Sequence, residues 1–324
     1  MRRRDFVQGI VGSALAWPLS VVAQDSAGRY RIGVLAQDLQ PGLLETFRDE
    51  LAKLGYVGAN SVAIDLRNAA GVNESLPRLA DELLRLKVNV IVAINTPAAK
   101  VAKQATKTVP IVIMRVVDPV KSGLIDSLAR PGGNITGLNF MPDELGAKDI
   151  ELLREILPNV SRVGALYQGD NSGAFVVAES VASRGAQLGV RVRYLPVFHP
   201  NDYADAFEQA AQAHLEALFV MDDGAITKQR NGILTLAANY RLPIVAIYKD
   251  FAEAGAIIAY GPRLSVVYRR AAQYVDKILK GQPARELPVE QPNEFDLLIN
   301  LKTAKALGLT IPPALLARAD EVIE

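Results

Sequence analysis

The sequence predicts an α/β protein of two doubly wound parallel-sheet lobes joined by a hinge. Three observations predict it. Short apolar runs alternate with amphipathic stretches along the whole chain, which is the rhythm of β-strand and crossover helix. The strand-like runs are apolar throughout instead of alternating, so both faces of each sheet must be covered. A Pro-Gly-Gly break near the middle separates one such series from a second, and 324 residues suit two units at about 150 residues each.

In the first series, Arg31–Ala36 reads as a strand, and Pro41-Gly42 opens an amphipathic stretch that runs to Leu54 and stops at Gly55. Val62–Leu66 is strand-like, and Leu76–Leu86 carries apolar residues at helical spacing. Val88–Ile94 is a β-branched run, Pro97–Thr106 a helix and Ile111–Met114 a strand. Pro131-Gly132-Gly133-Asn134 then breaks the pattern and leads into an extended Ile135–Asn139.

The second series has strands at Arg162–Tyr167, Val190–Val197, Ala217–Met221, Ile244–Tyr248 and Ala256–Tyr260. Its helices are Ala174–Leu188, Asp202–Ala213 with Asp202 as cap, Thr227–Tyr240 and Val266–Leu279, the last ended by Gly281. The tail holds an extended Leu287-Pro288-Val289, a strand at Phe295–Ile299 and a helix from about Lys302. Lobe 1 is expected over residues 28–136, with 262–284 returning to it. Lobe 2 is expected over 137–258 with the tail 290–324. The hinge is placed at Ile135–Leu138 and Ala256–Tyr260, so that both lobes can close on a ligand.

Composition removes many functions. The 36 basic and 35 acidic residues give a net charge of +1, so no global field recruits nucleic acid. The absence of Cys excludes disulfides, thiolate metal sites and a cysteine nucleophile. Two His, His199 and His214, do not make a His-rich metal centre, and neither a metal nor a cofactor is expected. Phosphate-loop, dinucleotide, nucleophile-elbow and zinc-protease motifs are all missing. Residues 1–23 have the layout of a signal peptide: Arg2, Arg3 and Arg4, a short apolar core, then Ala23 before a cut at Gln24. Arg3-Arg4-Asp5-Phe6-Val7 also resembles the twin-arginine export signal. The expected location is the periplasm.

Ligands of open parallel sheets bind beyond the carboxyl ends of the strands. Those ends nominate Gln37, Asn95, Thr96, Pro97, Arg115 and Asp118 in the first series, and Tyr167, Asn171, Asp222 and Tyr248 in the second. Thr96 suits an N-cap and Pro97 the first helical position, so free backbone N–H groups there can take a carboxylate; an ordinary capped helix has the same signature. Of Asp222 and Asp223, one can meet a ligand ammonium while the other caps the next turn, and Asp222 is taken as the ligand-facing one. Tyr167 and Tyr248 can wall a planar or apolar solute. Arg115 pairs with an anion or with Asp118.

The chain resembles the ABC-type substrate-binding family, the periplasmic receptors of ABC transporters with a type I periplasmic-binding fold. The resemblance rests on Leu54-Gly55-Tyr56-Val57, Thr96-Pro97-Ala98-Ala99, Asp118-Pro119-Val120, LARPGGNITG over 128–137, YRRAAQYVDKILKG over 268–281, LPVEQP over 287–292 and LINLKTAKALGLTIP over 298–312. It implies a receptor, not an enzyme, that closes on a small-molecule solute such as an amino acid, aromatic ones included, and hands it to an inner-membrane permease and its ATPase. It also implies that the Thr96 helix start lines one lobe and the Asp222 strand end the other. Two cleft positions depart from the family, Gln168–Asn171 in place of an Asn-Pro turn, and Arg115 where small residues are common. A monomer without a nucleic-acid partner is expected. The alternative is an exported lyase or isomerase working through Asp222 and Arg115; a third reading is the sensory half of a regulator.

Overall fold

The computed structural model describes residues 30–324 apart from 40, 41, 59, 60, 141 and 222, with only the backbone of 142–144. The signal-peptide expectation and Asp222 therefore lie outside the described residues.

The first sheet is built from β1 (Tyr30–Ala36), β2 (Val62–Asn68), β3 (Val90–Ile94), β4 (Ile111–Val117) and β5 (Ile135–Phe140), with α1 (Leu43–Lys53), α2 (Leu76–Arg85) and α3 (Thr96–Ala105) between them. Its order is β2-β1-β3-β4-β5, parallel throughout. The period of two is visible in the core. Ile32 and Val34 face the cluster that holds Phe47 and Leu51 of α1, whereas Leu35 faces the opposite cluster with Leu76, Leu79 and Leu83 of α2. Both faces are thus dry, as the uniformly apolar strands require.

The second sheet contains β6 (Arg162–Gln168), β7 (Arg191–Val197), β8 (Ala217–Met221), β9 (Ile244–Ala246) and β10 (Ile258–Pro262), and then the tail strands β11 (Phe295–Asn300) and β12 (Glu321–Ile323). The order β12-β11-β10-β9-β8-β6-β7 repeats the 2-1-3-4-5 winding of the first sheet, with β11 added antiparallel to β10. Its helices are α4 (Pro142–Ile156), α5 (Ser172–Gln187), α6 (Asp202–Gln212), α7 (Gly224–Lys228), α8 (Arg230–Tyr240) and α9 (Lys249–Ala254). After β10, α10 (Leu264–Leu279) lies against α1 and β4 of the first lobe. The tail ends with α11 (Leu301–Leu307) and α12 (Pro313–Leu316).

The chain passes between lobes beyond the expected hinge segments. Ile135–Leu138 sits inside β5 and Ala256–Tyr260 leads into β10, so each is fixed in one sheet. The chain leaves the first sheet after Phe140 of β5, leaves the second after β10 at Arg263, and rejoins the second through residues 291–294, a passage that the expected lobe bounds put between 284 and 290. Before this last passage Glu290 lies alongside β5, its N–H donating to Gly137 O at 2.9 Å and its carbonyl accepting from Asn139 N at 3.0 Å. Arg263 ties two passages together, donating from Nη1 to Glu294 at 3.0 Å and from Nε to Asp296 at 2.6 Å. Asp202 is likewise not a cap. It is the first residue of α6, and its carboxylate accepts from the N–H groups of Phe198 and His199.

One buried acid is uncompensated. Asp149 of α4 is 1% exposed and its Oδ1 has no hydrogen-bond partner; burial pushes its carboxyl well above the ordinary range. A carboxyl raised on folding leaves stability intact below its unfolded pKa and erodes it as pH rises toward the folded value. Asp149→Asn is therefore expected to raise the melting temperature near pH 7.5, by about 2–4 °C for each ~1 kcal/mol recovered, and to raise it less near pH 4. Equal shifts at both pH values in a calorimetric scan would show that this carboxyl is not neutralised by burial.

Candidate functional site

In a doubly wound sheet the crevice for a ligand opens where the strand order reverses. The first sheet reverses between β1 and β3, the second between β6 and β8. Gln37 follows β1 and Asn95 follows β3; Asn171 follows β6 and Asp223 follows β8. These four residues, all buried, face one another across the lobes and form one chain of hydrogen bonds.

The chain has a direction. Asn171 caps α5, its Oδ1 accepting from Gly173 N at 3.0 Å and Ala174 N at 3.3 Å. That turns its amide nitrogen toward Asp223 Oδ2, at 3.1 Å. From the other lobe, Asn95 Nδ2 donates to Gln37 Oε1 at 3.0 Å, and Gln37 Nε2 then points at the same Asp223 oxygen at 3.5 Å. Asp223 Oδ1 caps α7, accepting from Ala225 N and Ile226 N, each at 3.0 Å. Burial raises the Asp223 carboxyl above the ordinary carboxylate range, opposed by these hydrogen bonds, which favour the charged form. Two further contacts join the lobes at the rim: Asn73 to Asp170 at 3.0 Å and Lys100 Nζ to Ser172 at 2.6 Å.

Between the lobes a cavity of about 30 Å³ remains, room for about one or two waters. Its polar lining is Asn95, Thr96, Arg115, Asn171, Asp223 and Tyr248, and Phe140, Leu145, Val177, Met221 and Ile247 form an apolar wall. Arg115 enters it through a shift of register between β4 and β5, after Ile113 and before Val116, and holds a left-handed φ of 54°. Its guanidinium carbon sits 4.3 Å from the centre of the Tyr248 ring, and its Nε donates to the Tyr248 hydroxyl at 3.1 Å.

The expectations drawn from strand ends divide here. Asn95, Thr96, Arg115, Asn171 and Tyr248 come together around the cavity. Gln37 stands behind it as the bridge to Asp223. Three others stand apart from this cavity. Pro97 is turned into the first turn of α3 and Asp118 accepts from Lys121 N in its own turn, and neither lines the cavity. Tyr167 packs with Phe175 and Tyr194 at ring distances of 5.8 and 6.4 Å instead of walling the cleft. Thr96 is the first helical residue and not the cap, which is Asn95 at φ 75°; the Thr96 hydroxyl accepts from Val117 N at 3.2 Å. Arg115 pairs with Tyr248 and not Asp118. Asp223, expected only to cap a turn, does that and also faces the cavity. Sequence reasoning missed the wall residues Leu145 and Val177 because they come from helix faces instead of strand ends.

Two like-wound lobes whose switch points meet over a small cavity with polar and apolar walls define a type I periplasmic-binding fold. Among the described residues, no acidic or His cluster could hold a metal, and no helix is long and apolar enough to cross a membrane. Comparison with known proteins gives the family. The profile of the ABC transporter substrate binding protein family matches residues 34–323, and the chain belongs to that family. A tyrosine-binding protein of Clostridioides difficile (strain R20291) is 26% identical over 289 residues, 88% of this chain and 83% of that protein. A domain from Streptococcus pneumonia solved in complex with L-Trp is 26% identical, covers 91% of this chain and all of that one, and superposes with a TM-score of 0.85. A conserved domain protein from Vibrio cholerae is 29% identical with the same coverage and a TM-score of 0.86. Such proteins bind a small molecule for a transporter and do not transform it, which sets aside the lyase or isomerase alternative.

Proposed function

We propose that this chain is the periplasmic receptor of an ABC importer. It closes its two lobes on a small carboxylate-bearing solute, an amino acid or an aromatic acid, and delivers it to an inner-membrane permease driven by an ATPase. It is exported by removal of residues 1–23 and works as a monomer. The observation that carries this reading is the hydrogen-bonded chain from Asn95 through Gln37 and Asp223 to Asn171, which exists only when the two switch points are in contact. The 30 Å³ cavity is smaller than such a solute, so the solute-bound form holds the lobes somewhat farther apart, and the solute biases them by its differential affinity for that form over the open one. The tyrosine-binding relative and the L-Trp complex support a carboxylate-bearing solute.

The test is to unfold protein recovered from the periplasm and identify the released small molecule by mass spectrometry, then return it to refolded protein during X-ray scattering. A carboxylate recovered unchanged, with a fall in radius of gyration on its return, is the expected result. A molecule that the protein converts over time, or an unchanged radius with binding confirmed by calorimetry, would overturn the reading.

A further inference from the structure

Arg115 is a buried cation with partners in both lobes. Two of them belong to its own lobe. Burial pushes the Asp38 carboxyl up, and the Leu39 N–H and the Arg115 charge oppose that rise. Burial also pushes up the hydroxyl of Tyr268, a buried residue of α10, and again the Arg115 charge opposes it. The third partner stands in the other lobe. The Tyr248 ring centre lies 4.3 Å from the guanidinium carbon, and the Tyr248 hydroxyl accepts from Arg115 Nε at 3.1 Å.

When the lobes part, Asp38 and Tyr268 stay with Arg115 and Tyr248 leaves. The guanidinium is therefore aimed and faced by an acid before closure, and the contact with Tyr248 is the part that closure adds. A left-handed φ of 54° at this non-glycine residue and the register shift beside it hold the side chain in that direction. Such strain persists only where its surroundings over-determine it. A guanidinium stacks flat on an aromatic face and keeps a fixed fork of donors at its edge, which a compact ammonium does not do. Both side chains are long, so they can follow each other as the lobes part to admit a solute. The backbone approaches at Gly71 and Gly224 have no such reach.

We propose that Arg115 is a positioning residue for closure, which meets Tyr248 across the cleft and raises the affinity for every solute alike without reading the solute's charge. The Asp38 carboxyl of its own lobe already faces that charge. This rests on the solute-receptor reading above and adds to it the side-chain pair that holds the lobes together around a solute.

The test is a double-mutant cycle on solute-stripped protein with Arg115→Lys, Tyr248→Leu and the two combined. Arg115→Lys keeps a cation beside Asp38 and Tyr268 and loses the flat stack and the Nε donor. Two probes that differ by an ammonium group, L-tyrosine and 3-(4-hydroxyphenyl)propanoate, are titrated calorimetrically. Each single variant is expected to weaken both probes by the same factor, about 2- to 30-fold, the range for a cation over an aromatic face. The combined variant should be no weaker than the worse single one by more than about 2-fold, because the second substitution removes a contact already lost. Tyr248→Phe, which keeps the ring and loses only the hydroxyl, should fall between the parent and Tyr248→Leu, and it guards against a folding defect in the leucine variant. Losses that multiply in the combined variant, losses that differ between the two probes, or binding unchanged in every variant would each overturn the inference. A parent that binds neither probe overturns it as well. None of these outcomes removes the receptor reading, which falls only with the released-solute experiment.

Discussion

Gly224→Ala is expected to weaken solute binding by about 5- to 150-fold while leaving the stability of the solute-free protein unchanged or slightly raised. A Cβ built at Gly224 would lie 2.5 Å from Cβ and 3.1 Å from N of Asp38, which belongs to the other lobe. Neither atom is the far end of a flexible side chain, so the overlap is relieved only by parting the lobes. Overpacking of this kind costs about 1–3 kcal/mol, and here the cost falls on closure alone. Within its own lobe the alanine is tolerated, because Gly224 opens α7 and is not among the glycines with left-handed φ. The same substitution at a compatible site reduces the entropy of the unfolded chain. Two other places between the lobes are as tight: a Cβ at Gly71 would meet the Ala225 backbone at 2.9 Å, and one at Gly173 would meet Thr96 Oγ1. Titration calorimetry, scattering and a melting curve on one preparation check the expectation. A variant that contracts and binds like the parent would mean that the Asp38 contact relaxes at little cost.

The winding of both lobes was legible because it depends on local pattern. Runs such as Val90–Ile94 and Ala217–Met221 are apolar at every position and buried at every position, so a two-faced sheet could be read from them directly. Helix boundaries were less legible where tertiary contacts set them. The stretch expected to be one helix over Thr227–Tyr240 is two, α7 and α8, because Asp223 starts the first of them at Gly224. Ile244–Tyr248 was expected to be strand throughout, yet β9 ends at Ala246. The helix α4 was not anticipated. Its inner face carries Asp149, and Gly146 lies where a Cβ would meet Val181 N at 2.7 Å, so its apolar periodicity is interrupted by residues that packing demands.

The site was legible to the extent that it follows from strand ends. That rule finds Asn95, Arg115, Asn171 and Tyr248 without knowledge of any contact. It does not find which residues meet across the cleft, since Gln37 and Asp223 are 186 positions apart and their pairing depends on how the lobes face each other. Nor does it show that Tyr167, at the end of β6, is drawn away from the cleft by Phe175 and Tyr194. The inward turn of Arg115 depends on a register shift between two strands, which residue types alone do not announce.

The pairing of Gln37 with Asp223 also changes which acid should matter most. The strand-end reading made Asp222 the ligand-facing residue and Asp223 a cap; the cleft hydrogen bonds give Asp223 a large effect of its own. In Asp223→Asn the side-chain oxygen can still accept from Ala225 N and Ile226 N and keep α7 capped. The amide nitrogen then takes the place of Oδ2, where Asn171 Nδ2 and Gln37 Nε2 both donate, and two donors are set against a third. A buried donor left unmatched costs about 1–3 kcal/mol, so solute binding should fall by about 5- to 150-fold. The melting temperature should change little, because removal of a carboxyl that burial disfavours offsets the unmatched Asn171 donor, which lies in the same lobe. Asp223→Ala should show the same loss of binding and, in addition, a stability loss of about 0.5–2 kcal/mol from the missing cap. The difference between the two variants separates the closing role of the carboxylate from its capping role. An Asp223→Asn variant that binds like the parent, measured by calorimetry and thermal melting, would show that the cross-lobe chain through Asp223 does not govern closure.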